Sequence, residues 1–466
     1  MITIKLRGGL GNQMFQYAFG TALAQRYKTS LLLDTSTYPD SSGRTYDLQH
    51  FMIKASTISH AIPITKTEDA FTFNPSFLEA GDNNCFDGYW QSEKYFAAIE
   101  PVIRRHLAFR YQIRPPDLAK EISNSESVAV SIRRGDYLRS DVMKIHGLMP
   151  LSWYRAACSL IQQKVQNPKF YIFTDEPGWN GLSQFDGVVV PGDKYVHLRL
   201  MTLCRHAIIT NSSYSWWGSW LSQYTGLRIA PDKWFAIKDI DAKDIIPDRW
   251  YKLAVPDEKI LVAVPACDKN RESQKAQQET WLGNLPNVDV RFFFGAGDQP
   301  TTKPNEVYLD VPGDYDHLCH KVYALIDWAY KQGYTYLFKC DTDTYAVPDR
   351  LLYSDYVCYD YVGRELNAEH RSGDVPFASG GAGYWLSRAA MKAILSHSLE
   401  EFTIFEGGLQ PEDTAVSRLL AQHKIFLHWD TRYQSSISDA YPTKDNDIIS
   451  THYVTPEKMH EFYTSI

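Results

Sequence analysis

Residues 250–264 read WYKLAVPDEKILVAV. The first ten hold Pro256, several charges and no apolar period, so they read as a connector. The last five form a continuous apolar run, which is what a strand buried on both faces of a parallel sheet needs. The chain also opens this way, with ITIKL at 2–6 running into glycines at 8, 9 and 11. Two first strands in one chain predict two α/β domains, residues 1–254 and 260–466, joined by a linker at 255–259.

Length agrees, because 466 residues exceed what one core usually organises. The formal net charge of −7 argues against a nucleic-acid partner. Aromatic residues make up 14% of the chain, with 12 Trp and 30 Tyr; they suit either carbohydrate contact or an aromatic core. Seven cysteines with no CxxC pair read as reduced thiols of a cytoplasmic protein. The first strand starts at residue 2, so no signal peptide is expected. No apolar run approaches the ~20 residues of a membrane span, so any membrane association is expected to be peripheral. The sequon at 211–213 is accordingly expected to stay unmodified.

In the first half, the strand at 2–6 leads through GGLG to a helix expected over residues 12–27. Bare backbone N–H groups at such a helix start suit an anion, which makes Gly11 a nucleotide-binding candidate. The dinucleotide fingerprint is broken, because Met14 stands where its third glycine would be. The next strong strand, VAVSI at 128–132, delivers RRGDY at 133–137 to its C-terminal end, where open α/β sheets place ligands. Two adjacent arginines suit a diphosphate, since guanidinium stays charged and forks onto two oxygens; a salt bridge to Asp136 is the structural alternative. A further strand closes at Asp175. After the strand at 207–210, NSSYSWWG supplies small polar groups to a helix start, as caps or as a phosphate seat.

GGLGNQMFQYA at 8–18, GYWQSEKYF at 88–96, SIRRGDY at 131–137 and NSSYSWWG at 211–218 occur in an order that resembles glycosyltransferase family 11. The resemblance implies an α1,2-fucosyltransferase using GDP-fucose with inversion, without a metal, on a GT-B fold of two Rossmann-like lobes. It implies that Arg133 holds the β-phosphate of the leaving GDP, that Asn211, Ser212 and Ser213 complete the phosphate seat, that Asp175 faces the nucleoside and that Asn12 touches the acceptor. Ser131 stands where related fucosyltransferases often carry a histidine that contacts guanine. Glu93 and Asp136 are the candidates for the base, with Glu93 also placed toward the acceptor.

In the second half, a polar helix expected over 268–280 carries Arg271, a nucleotide-binding candidate. A strand is expected at 288–294, and a long helix opens at Asp314 and runs to about Lys331. A short strand at 336–338 ends in KCDTD. Asp341 and Asp343 are hard oxygen ligands suited to Mn²⁺ or Mg²⁺ on a diphosphate. SGGAG at 379–383 lets backbone approach a sugar, which nominates Gly380 and Gly381 for acceptor binding. His452 could serve as a third metal ligand.

ETWL at 279–282, residues 314–321, 339–345 and 379–387, and Glu412-Asp413 together resemble glycosyltransferase family 31. That resemblance implies an inverting β1,3-transferase of GT-A fold, with a UDP-sugar donor and Mn²⁺. Asp343 and His452 would bind the metal with Asp341 assisting, and Asp413 would be the base. Thr414 departs from the valine common after the acid pair. The two resemblances combine into a bifunctional enzyme: galactose is transferred β1,3 from UDP-galactose to a GlcNAc- or GalNAc-type acceptor, then fucose α1,2 from GDP-fucose, giving Fucα1,2-Galβ1,3-R. The acceptor would be a lipid-linked oligosaccharide or a glycoprotein. The alternatives are a second domain using another UDP-sugar, such as UDP-GlcNAc, or a carbohydrate-binding protein with one inactive domain.

Overall fold

The computed structural model describes residues 1–41, 43–111, 115–366, 375–406, 408–436 and 441–466. The chain divides into two compact units, Met1–Val255 and Pro256–Ile466, each of mixed α/β architecture with parallel strands. The seam falls inside the stretch 250–264. Among the described residues no helix is long and apolar enough to cross a membrane.

The first unit holds two parallel sheets. One contains β1 (Ile2–Lys5), β2 (Leu31–Asp34), β3 (Ser56–Ile58), β4 (Lys66–Thr67) and β5 (Cys85–Asp87), in the order β3-β2-β1-β5-β4. The other contains β6 (Ser127–Ile132), β7 (Lys169–Thr174), β8 (Val188–Val189), β9 (His206–Ile208), β10 (Arg228–Pro231) and β11 (Tyr251–Leu253), in the order β11-β10-β9-β6-β7-β8. β6 is buried at every position, which explains its unbroken apolar run.

The helix Leu10–Arg26 starts two residues earlier than the sequence predicts, capped by the extended Gly9 without a side-chain bond. The helix opened by NSSYSWWG, which the sequence predicts to run on to Tyr224, spans Ser213–Trp220. Its tryptophans belong to the core: Phe15 lies 4.5 Å from Trp216, and Trp217 stacks on Phe96 at 5.5 Å. Each such pair adds about 0.5–1.5 kcal/mol beyond the area it buries. Asn211 of the sequon is buried and closed to a glycan.

The second unit is built on a seven-stranded mixed sheet. Its parallel half runs β14 (Glu306–Pro312), β13 (Val288–Ala296), β12 (Ile260–Pro265) and β15 (Tyr336–Lys339). Tyr384–Ser387 then pairs antiparallel with β15, followed by β17 (Tyr361–Gly363) and His428–Trp429. The amphipathic helix Leu318–Lys331 buries Val322, Leu325, Ile326 and Ala329. β16 (Tyr345–Ala346) pairs antiparallel with Ser450–Thr451, which returns the C-terminal segment to the end of β15. All seven cysteines are free thiols.

Candidate functional sites

In the first unit the site is assembled where the C-terminal ends of the two sheets meet. The chain leaves β6 at Arg133, whose Nη1 donates to Asp175 and Nη2 to Asp136. Asp136 also accepts Arg44 Nη2 at 2.8 Å. Burial alone would pull the Arg133 pKa down; the Asp175 and Asp136 carboxylates outweigh it and hold the guanidinium charged. Its side chain keeps 33% of its surface, so a ligand can reach it. Asp175 also accepts the Arg134 backbone N–H at 2.9 Å. A Cβ at position 135 would stand 2.4 Å from Asp175 Oδ2, so only glycine lets that carboxylate clamp the loop.

Tyr137 ties this loop to the 211–213 segment, its hydroxyl donating to Asn211 O at 2.9 Å. Asn211 spends its amide on His146 O at 2.6 Å and Trp234 O at 3.2 Å. Ser212 is the extended cap residue of the helix Ser213–Trp220. Ser213 Oγ donates to Asn12 Oδ1 at 2.7 Å, and Gln91 Nε2 donates to the same oxygen at 2.8 Å. A Cβ on Gly11 would lie 2.4 Å from Tyr214 N. Gly11 is therefore what allows the N-termini of Leu10–Arg26 and Ser213–Trp220 to touch. Two positive helix ends beside a fixed guanidinium form an anion seat.

The structure gives several of the expected site residues partners within the chain. Asn211 fastens two backbone segments, so its side-chain amide hydrogens are not free for phosphate. Asp175, expected to face the nucleoside, accepts from Arg133. Asn12 locks the two helix starts together. Glu93 accepts both Arg249 Nη1, at 2.6 and 2.7 Å, and Trp220 Nε1, at 2.8 Å. Trp220 ends the helix that Ser213 begins, so Glu93 sits roughly 10 Å along it from the anion seat. Glu93 and Asp136 are each engaged by arginine. Sequence reasoning missed Arg44, which carries no motif.

In the second unit Asp341, Asp343 and His452 offer ligand atoms that all lie within 4.8 Å of one another. His452 Nε2 is 3.2 Å from Asp343 Oδ1 and 3.8 Å from Asp341 Oδ2. The turn after β15 aims both acids at one point, with Asp341 N donating to Thr344 Oγ1 at 3.1 Å. His452 arrives on the returning C-terminal segment, fixed where Val454 N donates to Asp343 O at 2.8 Å. Two carboxylates and an imidazole fit Mn²⁺ or Mg²⁺.

Behind the acids lies Lys339, 1% exposed. Its Nζ donates to Asp341 Oδ1 at 2.8 Å, Glu412 Oε1 at 2.5 Å and Gly380 O at 3.2 Å. Burial opposes its charge, yet the Asp341 and Glu412 carboxylates push its pKa up. Burial would raise the Asp341 carboxyl, and Lys339 wins and lowers it. Glu412 is held up by burial against Lys339, and Tyr384 Oη donates to its other oxygen at 2.7 Å. Asp413 is buried beside it in the first turn of the helix Glu412–Gln422.

At Gly380 and Gly381, nominated for acceptor binding, the space a side chain would fill is taken by groups of the chain itself. A Cβ on Gly380 would stand 2.3 Å from Glu412 Oε1, and one on Gly381 would stand 2.0 Å from the His452 ring. Their missing side chains make room for the chain's own acid and imidazole. Arg271 is paired with Asp268 at 2.9 Å and Glu306 at 2.6 Å and lies over Phe294.

A model of glycosyl transferase family 11 matches residues 1–254. An alpha-1,2-colitosyltransferase of Escherichia coli is 29% identical over 293 residues, covering 54% of this chain and 99% of that protein. The O-antigen biosynthesis glycosyltransferase WbnK of Escherichia coli is 28% identical over 300 residues, covering 53% of this chain and 99% of that protein. Among solved structures, fucosyltransferase NodZ from Bradyrhizobium is similar to 47% of this chain over 92% of its own, at 14% identity and a TM-score of 0.32.

Proposed function

The chain belongs to glycosyl transferase family 11 through residues 1–254, and we propose that this unit is an inverting α1,2-fucosyltransferase of GT-B type that uses GDP-fucose. The observation that carries the proposal is Arg133, half-buried at the end of β6 and held by Asp136 and Asp175 beside two helix N-termini. As the sugar leaves, negative charge grows on the β-phosphate, and a preorganised guanidinium stabilises it without needing a cation. The names of the relatives keep a second donor in view, a colitosyl nucleotide, at the same seat.

For the second unit the proposed activity is β1,3-galactosyl transfer from UDP-galactose on a GT-A-type domain, as its resemblance to family 31 implies. The convergence of Asp341, Asp343 and His452 favours this reading. A divalent ion held by those three residues would bind the diphosphate of the donor and neutralise it. Asp413, buried next to Glu412, takes the acceptor proton in this reading. The charge of Lys339 keeps Asp341 ionised for its task.

The test is a donor panel with and without EDTA. Transfer from GDP-fucose should continue under chelation, and transfer from UDP-galactose should stop and return with Mn²⁺. Equal sensitivity of both transfers would contradict the assignment.

A further inference from the structure

Glu93 and Asp136, the two bases that the sequence nominates for the proposed fucosyl transfer, are both held by arginines. We infer that His146 is the catalytic base of the transfer centred on Arg133. The inference rests on the family 11 reading of this unit and adds the residue which that reading lacks.

His146 ends the helix Ser140–His146. Its ring stacks on Tyr137, with centroids 5.0 Å apart and planes at 21°, and packs against Phe235 at 5.4 Å. Arg133 Cζ lies 5.5 Å from that same Tyr137 ring. Imidazole and guanidinium thus share one aromatic neighbour.

Neither ring nitrogen of His146 has a hydrogen-bond partner among the described residues, and Nδ1 is sealed from solvent. Nε2 is therefore the nitrogen left to meet an incoming hydroxyl. The segment around it is pinned, since Asn211 Nδ2 donates to His146 O at 2.6 Å. Three charged groups act on the ring. Burial lowers its pKa first, Arg133 and Arg44 push the same way, and Asp136 opposes them. Burial thus favours the neutral imidazole, the form a base requires, and Asp136 is the counter-charge that acts on it once it is protonated.

In the step, the acceptor hydroxyl oxygen attacks the anomeric carbon while the bond from that carbon to the phosphate oxygen breaks. The electron pair of the broken bond leaves on GDP, where Arg133 meets it. The hydroxyl proton passes to His146 Nε2.

His146→Phe tests this, because phenylalanine keeps an aromatic ring against Tyr137 and Phe235 and removes both nitrogens. His146→Gln is the companion that keeps polarity. The full-length chain is assayed with GDP-fucose and a β-galactoside, following GDP release, and GDP binding is measured by calorimetry. Both variants should bind GDP as the wild type does and lose transfer by about 10²–10⁴-fold. The wild-type rate should fall as pH drops through a pKa below the ordinary histidine value, and the residual rate of the variants should lack that limb. Transfer by His146→Phe within about tenfold of wild type, a retained acid limb, or a loss of GDP binding as large as the loss of turnover would overturn the assignment. A wild-type chain that neither binds GDP nor turns over GDP-fucose would defeat the reading of the unit itself, and needs no variant to show it.

Discussion

Replacing Lys339 with methionine keeps the length of the side chain and removes its charge. In the native chain Nζ bridges Asp341 at 2.8 Å and Glu412 at 2.5 Å while almost wholly buried. Without it, Glu412 faces Asp341 and Asp413 with no cation between them. Breaking one side of a buried pair costs about 3–5 kcal/mol, because the remaining charge stays buried. Asp341 keeps 32% of its side-chain surface, so water tempers its share and the lower end, ~3 kcal/mol, is expected. For a unit of this size that corresponds to a fall of ~6–12 °C in its melting transition. The pH dependence has a definite sign. Asp341 has a lowered folded pKa, so its contribution is present above its unfolded value and is lost as pH falls. Glu412 has a raised folded pKa, so its ionisation weakens the fold as pH rises through that value, and removing Lys339 raises it further. The Lys339→Met penalty should therefore be larger at pH 8 than at pH 5, where Glu412 can take up a proton. Urea denaturation of the variant and the wild type at both pH values measures it. A penalty below ~1 kcal/mol at pH 8, or one equal at both pH values, would refute the reasoning.

Three further outcomes are expected. Arg133→Ala should lower transfer from GDP-fucose by roughly 10²–10³-fold and leave transfer from UDP-galactose untouched; parallel rate assays decide it, and loss of both activities would point to global damage. Asp413→Asn should abolish the second activity while Mn²⁺ binding persists, and near wild-type turnover would send the search for its base elsewhere. Gly381→Ala should push the His452 ring off Asp343, since the new Cβ would stand 2.0 Å from it; calorimetry should show Mn²⁺ affinity reduced about 10–100-fold, and unchanged affinity would refute the ligand assignment.

The parts of the fold that could be read in advance were those that leave a continuous record. β6 and β12 are buried along their whole length, so their apolar runs announce them, and the seam at 250–264 follows from the second run. Helix starts were less legible. The long helix begins at Leu318, four residues after Asp314, because the Asp314 carboxylate takes His317 N at 3.1 Å and holds a turn there. The segment at 268–270 is likewise a tight turn before the helix Arg271–Glu279. β13 runs on to Ala296, two residues past its expected end.

A cluster was legible where its residue types stand out. Asp341, Asp343 and His452 were singled out by residue type, and the pairing of β16 with Ser450–Thr451 brings the three together. Partners that only balance charge left no trace. Arg44 reaches Asp136 across 92 positions of sequence, and a buried lysine on a strand looks like any strand residue. The glycines have a second physical reason in the structure. A missing Cβ says that something comes close, and at 380 and 381 that something is Glu412 and His452.

The most direct test of the two-activity account is the order in which sugars appear on one acceptor. The full chain is incubated with a GlcNAc- or GalNAc-terminated acceptor, first with GDP-fucose alone and then with UDP-galactose and Mn²⁺ added, and products are followed by mass spectrometry. GDP-fucose alone should leave the acceptor unchanged. Adding UDP-galactose should then yield a hexose adduct followed by a hexose-plus-deoxyhexose adduct. A deoxyhexose adduct formed before any hexose would contradict the account.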